Sequence, residues 1–401
     1  MRKRLEDLTA HCIRCGFCIE SCPTFVVTGN EAESPRGRIY LIRSANEGKV
    51  DWDAAVRPHI EPCLGCRACE TACPSGVEYG AIVELAREKL EELRPTKFKH
   101  AFVDGLTSPK KLRAELALGR ILPGKKVPAV LSRLLSGQTP EAERPKVQKP
   151  PRWPALDEKD LPAIRGEVYL LEGCVMRVLY PRVHQATRRL LRRVGYRVRE
   201  VEQGCCGALH AHNGYLEEGF AMGEKLAAQL AGDLPIVINS AGCGSHIKEL
   251  EVFEGRGVDI CQFLLREGLE GQLAESTGFE ARLTYHDACH LAHGQQVRAE
   301  PRRLLKAIPR VDYVELTEAD MCCGSAGIYN ILQPKMAREL LERKWGNIER
   351  TKCTIVATGN PGCHAWIAQA SREHPGAVRV HHTIEVLEAA FSGLAGLDEA
   401  G

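Results

Sequence analysis

Two runs of closely spaced cysteines are the first feature of this sequence that could do chemistry. Both runs follow the spacing C-x2-C-x2-C-x3-C, and each is followed directly by a proline. Their members are Cys12, Cys15, Cys18 and Cys22, then Cys63, Cys66, Cys69 and Cys73. Thiolates at this spacing wrap around the corners of a cubane of iron and sulfide. The sequence therefore predicts two [4Fe-4S] clusters.

The same pattern is the signature of two-cluster ferredoxins, in which the fourth cysteine of each run binds the other cluster. Cluster one is therefore assigned to Cys12, Cys15, Cys18 and Cys73, and cluster two to Cys63, Cys66, Cys69 and Cys22. Zinc also binds C-x2-C pairs, but zinc sites seldom use three such steps followed by Cys-Pro. A zinc-stabilised scaffold without a redox role is the alternative from another class.

Composition narrows the remaining classes of function. The 401 residues include 54 Lys and Arg against 52 Asp and Glu, and a net charge of +2 favours no nucleic-acid partner. A chain of this size with 44% hydrophobic residues needs no disulfides, so its 18 cysteines indicate ligands. No stretch approaches the roughly 18 to 20 apolar residues of a membrane span. We expect a cytoplasmic protein, soluble or peripheral on the inner face of the membrane.

The second half of the chain is a duplication built around cysteines. Each copy has a cysteine after a short apolar strand, a Cys-Cys-Gly triplet, and a further cysteine after another strand. The cysteines are Cys174, Cys205, Cys206 and Cys243 in the first copy, and Cys289, Cys322, Cys323 and Cys363 in the second. Alternating strands and helices predict a β-α-β-α-β unit with a mostly parallel sheet, whose carboxyl edge collects ligands.

Adjacent cysteines fit different irons of a cluster better than a single zinc ion. The arrangement resembles the cysteine-rich domain of heterodisulfide reductase subunits, whose motif ends in CxxC and binds a non-cubane cluster. Here the last cysteine of that motif is replaced by His246 in one copy and Trp366 in the other. A further iron-sulfur cluster would then need His246, or His364, as an extra ligand. Small buried cysteines that only pack a core are the alternative.

Five histidines stand beside these cysteine motifs and extend the list of candidates. They are His210 and His212 after the first triplet, and His286, His290 and His293 around Cys289. Such a group indicates support of metal ligands or proton handling, whereas a single histidine is usually a structural residue.

Taken together, the motifs resemble the iron-sulfur subunit of bacterial glycolate oxidase over nearly the full length. The segments that carry the resemblance are HCIRCGFCIESCP, SPRGRIYLIR, CLGCRACETACPSGVEYG, GCCGALHAHNG, YHDACHLAHGQ, CCGSAGIYN and ATGNPGC. The resemblance implies an FAD-binding catalytic subunit and a second FAD-domain subunit as partners, with membrane quinone as acceptor. Iron-sulfur subunits of lactate or glycerol-3-phosphate dehydrogenases are the nearest alternative, and a thiol-disulfide reductase is a more distant one.

The oxidation of a 2-hydroxy acid fits a complex in which a flavin subunit reacts with the substrate and an iron-sulfur subunit carries the electrons. This oxidation removes two electrons with a hydride equivalent, whereas a [4Fe-4S] cluster moves one electron at a time. The sequence has neither G-x-G-x-x-G opening a βα unit nor a G-x-x-x-x-G-K-[ST] loop. We therefore predict no catalytic residue in this chain, and no turnover without a flavin-bearing subunit.

The predicted fold class is α+β and multidomain. A mainly helical ferredoxin-type domain occupies residues 1–95, and a helical connection with a Pro-rich linker occupies residues 96–165. The cysteine-rich repeats follow as α/β units at residues 166–278 and 279–395. Basic and apolar residues alternate over residues 110–135, which makes peripheral membrane contact an alternative to a helix that covers the ferredoxin domain.

Overall fold

A computed structural model describes residues 4–121, 141–143, 146–149, 153–394 and 397 of the chain. Up to residue 121 the regular structure is entirely helical. The α-helices are α1 (Leu5–Ala10), α2 (Pro23–Thr28), α3 (Pro35–Asn46), α4 (Arg57–Ile60), α5 (Ala68–Thr71), α6 (Tyr79–Leu93), α7 (Lys97–Thr107) and α8 (Pro109–Ile121). A 3-10 turn at Glu31–Glu33 and a π-helical turn at Trp52–Val56 complete this part.

Helix α3 lies between the two cysteine runs. Ser34 caps its start by accepting a hydrogen bond from the Gly37 amide at 3.0 Å, and Pro35 occupies the first turn. The face with Ile39 and Ile42 is buried against the rest of the helical part. The mainly helical character predicted for this part of the chain is therefore observed.

The second half contains two four-stranded parallel sheets of identical strand order. Their strands are β1 (Gly166–Leu171), β2 (Tyr196–Val198), β3 (Ile236–Ile238), β4 (Gly257–Asp259), β5 (Ala281–His286), β6 (Val311–Tyr313), β7 (Ile355–Thr358) and β8 (Arg379–His382). The orders are β2-β1-β3-β4 and β6-β5-β7-β8. The sequence predicted three strands per copy, and the fourth strand in each sheet, β4 or β8, is a correction.

Helices connect and flank these strands. They are α9 (Cys174–Leu179), α10 (Pro181–Arg193), α11 (Ala208–Ala211), α12 (Leu216–Gln229), α13 (Ala241–Glu249), α14 (Ile260–Arg266), α15 (Leu269–Ala274), α16 (Ala299–Lys306), α17 (Tyr329–Leu332), α18 (Pro334–Thr351), α19 (Pro361–Glu373) and α20 (Thr383–Ser392). Short 3-10 turns lie at Glu158–Asp160 and Glu251–Phe253, and a π-helical turn lies at His290–Gly294.

One hydrophobic core joins the two repeats. It includes Val183 and Leu190 of α10 together with Ile384 and Leu387 of α20, all fully buried. Ion pairs hold the same two helices together, such as that between Arg189 Nε and Glu388 Oε1 at 2.7 Å. The repeats therefore pack as a pair, with their strands ending near a common cavity.

The segment considered for membrane contact, residues 110–135, is described only in its first part. Residues 110–121 of the basic and apolar segment belong to α8, whereas residues 122–135 lie outside the described part, as does much of the predicted linker. Among the described residues, no helix has the length and apolarity required to cross a bilayer. The domain boundaries at residues 95, 165 and 278 stay a prediction.

A substitution at Gly324, the glycine of the second Cys-Cys-Gly triplet, tests the tight turn that follows the cysteines. The φ of Gly324 is +90°, and an added Cβ would lie 2.6 Å from the Ala337 carbonyl oxygen, a backbone atom. We expect Gly324→Ala to lower the free energy of unfolding by about 2–4 kcal/mol, because strain and overlap add. The denaturation midpoint of the purified chain measures the effect.

Gly346→Ala is the matched control, because Gly346 lies in α18 with open space around its Cα. Alanine there should leave stability unchanged or raise it by about 0.5–1 kcal/mol. Equal stability of Gly324→Ala and the wild-type chain would contradict the packing described.

Candidate functional site

The four cysteines assigned to cluster one lie around one small cavity near the surface. Cys12, Cys15, Cys18 and Cys73 all line it, and Cys69 of the other assigned group borders it as well. Cys15 is exposed, and Cys12, Cys18 and Cys73 are partly buried. Gly16 has a φ of +91°, so the first run turns sharply between its second and third cysteines. Burial raises the pKa of Cys18, which a bound iron would offset.

The four cysteines assigned to cluster two form a second, deeper group, and all four are buried. They are Cys22, Cys63, Cys66 and Cys69. Burial raises the pKa of Cys66 and Cys69 well above the ordinary value, and neighbouring thiols of the same group raise it further. The structure thus brings Cys22 to the second run and Cys73 to the first, as the crossed pairing requires.

These two groups fit the cofactor that their spacing predicts. Each offers four thiol sulfurs from one chain, and a [4Fe-4S] cluster takes four cysteine ligands. Burial favours the protonated form of the Cys66 and Cys69 thiols by raising their pKa, and metal binding displaces such protons and supplies the counter-charge. Ligation by these eight residues is therefore a proposal that the donor set supports.

A buried arginine supports the deeper group. Arg38 is 1% exposed, and its guanidinium lies 3.9 Å from Cys22 Sγ. It donates to the His59 carbonyl at 2.6 Å, the Thr24 hydroxyl at 3.0 Å and the Glu33 carboxylate at 2.6 Å. Burial opposes its charge, yet the thiols and the carboxylate around it hold the pKa of Arg38 above its ordinary value. Sequence inspection missed Arg38, whose helical segment carries no motif for this contact.

The first repeat gathers its four cysteines at the carboxyl ends of its strands. The Sγ atoms of Cys174 and Cys205 lie 3.3 Å apart, and Cys206 contacts both Cys205 and Cys243. Contact with Cys205 and burial raise the pKa of Cys174 well above its ordinary value. Leu171 and Leu226 belong to the same hydrophobic cluster as these thiols.

The second repeat gathers the equivalent four. Cys289 Sγ and Cys322 Sγ lie 4.0 Å apart, and Cys323 contacts both Cys322 and Cys363. A ring nitrogen of His286 lies within 4.8 Å of the sulfurs of Cys323 and Cys363. The sequence identified His286 only as one of a group of histidines. Its position at the end of an apolar strand, three residues before Cys289, could have indicated that it lies beside the thiols.

The two histidines predicted as extra ligands lie apart from each other. His246 is buried beside His212, with 6.0 Å between ring centroids, and His212 lies 5.0 Å from His290 in the same way. Burial lowers the pKa of His212 and His246 to about 4, so both rings are neutral near pH 7. His364 packs edge-on against Tyr180, with centroids 5.2 Å apart. Two rings therefore lie beside thiols of the second repeat: that of His286, near Cys323 and Cys363, and that of His290, whose Nδ1 lies 3.6 Å from Cys289 Sγ.

The remaining histidines of the predicted group have separate roles. His210 lies 3.1 Å from an Asp104 carboxylate oxygen, which accepts its hydrogen bond. His293 Nδ1 accepts a hydrogen bond from the Arg298 guanidinium at 2.8 Å. Both therefore lie in polar networks.

The deeper cysteine group borders the second repeat directly. Cys66 and Cys289 lie close enough for their charges to interact, and both belong to one hydrophobic cluster with Cys322. The Tyr329 hydroxyl donates to the Pro62 carbonyl at 2.9 Å across the same boundary. A cavity of about 2060 Å³, bounded by described residues, is lined by thiols of both repeats. The geometry thus connects the helical part to the repeats through cysteines.

Comparison with known proteins matches this division of the chain. A family model described as a 4Fe-4S dicluster domain matches residues 9–77. A second, described as a cysteine-rich domain, matches twice, at residues 168–248 and 283–368. The duplication inferred from the sequence is therefore confirmed.

Similar proteins cover nearly the whole chain. The probable glycolate oxidase iron-sulfur subunit of Bacillus subtilis (strain 168) is 33% identical over 89% of this chain and 88% of its own length. The glycolate oxidase iron-sulfur subunit of Escherichia coli (strain K12) is 32% identical over 96% and 95%. A fumarate reductase (CoM/CoB) subunit of Methanothermobacter marburgensis is 26% identical over 95% and 72%. This chain is therefore an iron-sulfur protein that belongs to the family of glycolate oxidase iron-sulfur subunits.

Proposed function

We propose that this chain takes single electrons from a flavin-bearing subunit that oxidises glycolate, and passes them inward to an acceptor. The observation that carries the proposal is the crossed arrangement of two cysteine groups, one near the surface and one buried. A [4Fe-4S] cluster bound by four thiolates exchanges one electron at a time, which lets two clusters divide the two electrons of a hydroxy acid.

The protein's own residues would control where electrons enter. Around the outer cysteine group, Ile13 is 68% exposed, Phe17 is 70% exposed and Tyr40 is 53% exposed. Large apolar side chains gathered at a surface mark a binding site for another protein. Because Cys15 is exposed among them, this face is suited to receive the flavin-bearing subunit.

The inner cysteine group would conduct electrons onward. Its thiols are buried, and the Arg38 guanidinium beside Cys22 favours the more negative, reduced state of a bound cluster. The proximity of Cys66 and Cys289, whose charges interact, would extend the route into the second repeat. Charge, burial and hydrogen bonds to sulfur set the reduction potential of a cluster, and they differ between the outer and the inner cysteine group.

The relatives are named as subunits of a glycolate oxidase, which supports a role within a larger complex. An FAD-binding catalytic subunit and a second FAD-domain subunit are the proposed partners. Membrane quinone is the proposed acceptor, reached by a cytoplasmic complex bound peripherally to the inner face of the membrane. This chain alone should then lack turnover.

Anaerobic reconstitution tests the proposal. The purified chain should contain at least about eight irons with matching acid-labile sulfide, as two [4Fe-4S] clusters require. Glycolate should bleach its visible absorption only when the flavin-bearing subunits are present, and lactate and glycerol 3-phosphate serve as comparison substrates. Absence of labile sulfide, or bleaching by glycolate without a flavin subunit, would contradict the proposal.

Alanine variants test the crossed ligand pairing. We expect Cys73→Ala to disturb the same EPR signal as Cys15→Ala, because both sulfurs face the outer cavity. Cys22→Ala should instead disturb the signal that Cys66→Ala disturbs, because both belong to the buried group. Each variant should keep the other cluster, whose signal should lose only the splitting that the neighbouring cluster causes. If Cys73→Ala and Cys66→Ala affect one signal in common, the pairing is wrong.

Phe17→Ser tests the docking face. Loss of an exposed aromatic anchor should weaken association with the flavin-bearing subunits roughly tenfold or more, while iron content and EPR signals stay unchanged. Phe98→Ser is the matched control, because Phe98 is also exposed, at 57%, but lies on α7. The half-saturating concentration of the partner in the reduction assay provides the readout. Equal effects of the two variants would argue against this face.

A further inference from the structure

The two repeats differ at the residue that ends their first strand. Strand β1 ends at Leu171 and strand β5 ends at His286, and the first cysteine of each repeat follows shortly after. Both side chains are buried, at 2% and 0% exposure. Apolar packing explains the leucine, whereas a fully buried imidazole requires a polar partner.

Among the described residues, His286 has no partner in good hydrogen-bond geometry, although the Ala319 backbone lies near its ring. Neither of its ring nitrogens makes a hydrogen bond, although both are buried. A ring nitrogen nevertheless lies within 4.8 Å of the sulfurs of Cys323 and Cys363. A buried imidazole without a well-formed hydrogen bond, beside two thiols, has the geometry of a metal ligand.

A buried cation accompanies the thiols of this repeat. Lys344 is 2% exposed, and its ammonium group donates to the Ala319 carbonyl at 3.3 Å and to the Glu318 carbonyl. Burial lowers the pKa of Lys344, while the thiols of Cys323 and Cys322 act in the opposite direction. Such a cation would compensate the negative charge of a thiolate-bound cluster.

The first repeat has no counterpart to this cation at the matching position. A Cβ added at Gly207 would meet the backbone of Gly219, and one added at Gly324 would meet that of Ala337. Counting from these equivalent contacts, Leu226 occupies the place of Lys344. Both histidine and lysine of the second repeat therefore stand where the first repeat has buried leucines.

The number of donors indicates which metal centre fits. With His286, the four cysteines of the second repeat offer five donors, one more than a tetrahedral zinc ion accepts. Adjacent cysteines suit separate irons, and Trp366 occupies the position of a further cysteine in the related motif. The Trp366 indole nitrogen is itself buried without a hydrogen-bond partner among the described residues.

We propose that the second repeat binds an additional iron-sulfur cluster with the imidazole of His286 as a ligand, alongside the thiolates of Cys289, Cys322, Cys323 and Cys363. The proposal rests on the proposed electron-transfer function, because an electron would arrive from the group that contains Cys66. Exchange of a thiolate for a neutral imidazole makes a cluster less negative and raises its reduction potential. Transfer of an electron to the second repeat would then be energetically favourable.

Pulsed EPR on the full-length chain tests the ligand directly. Protein labelled with 15N-histidine should show a strong imidazole nitrogen coupling on one cluster signal, and more than about eight irons per chain. His286→Leu, which reproduces Leu171 of the first repeat, should lose that coupling and the iron above about eight. His286→Cys should keep the iron, lose the coupling and lower the potential of that signal. Both variants should retain the two [4Fe-4S] signals.

His364→Leu separates the two histidines, because His364 adjoins Cys363 in sequence but packs against Tyr180. It should keep the coupling. Coupling that survives in His286→Leu, or that disappears only in His364→Leu, would overturn the proposal. Zinc in place of the additional iron would do the same. Wild-type protein with about eight irons and no imidazole coupling would also refute it, yet would leave electron transfer through two cubanes intact.

Discussion

Burying a thiolate inside a protein costs free energy unless positive charge lies beside it. The arrangement of cysteines and cations in this chain depends on that cost. Cys66 and Cys69 are buried, and burial raises the pKa of both well above the ordinary value. Iron supplies most of the required charge when it binds. The chain contributes the rest from buried cations, with Arg38 beside Cys22 and Lys344 beside Cys323. Folding and cofactor binding are therefore coupled.

The proposed exchange of the fourth cysteine between runs fits the course of the chain. Because Cys22 lies with the second run, the segment between the runs folds back on itself. Helix α3 makes this return, and Arg38 within it ties Thr24 to the His59 carbonyl. The same return leaves the outer group near the surface and the inner group against the second repeat. The proposed exchange of one cysteine between the runs is thus consistent with both the exposed outer group and the buried inner group of the electron path.

Local patterns made much of this predictable. Spacing alone identified the cysteine runs, and repetition of strand, triplet and strand identified the two sheets. The fourth strands escaped notice because neither β4 nor β8 leads to a cysteine of the repeated motif. Arg38, His286 and Lys344 act through contacts between distant segments, which single-sequence patterns do not reveal. The positions of His246 and His364 relative to the thiols likewise depend on how α13 and α19 are oriented.

The central claim is that eight thiolates hold two clusters close together through exchanged ligands. Continuous-wave EPR of the fully reduced chain, recorded anaerobically at several microwave frequencies, tests this claim most directly. Two reduced clusters in neighbouring cysteine groups should interact magnetically, and the spectrum should show splittings that stay constant in field units as the frequency changes. A simple sum of two independent signals, or the signal of a single cluster, would contradict the account.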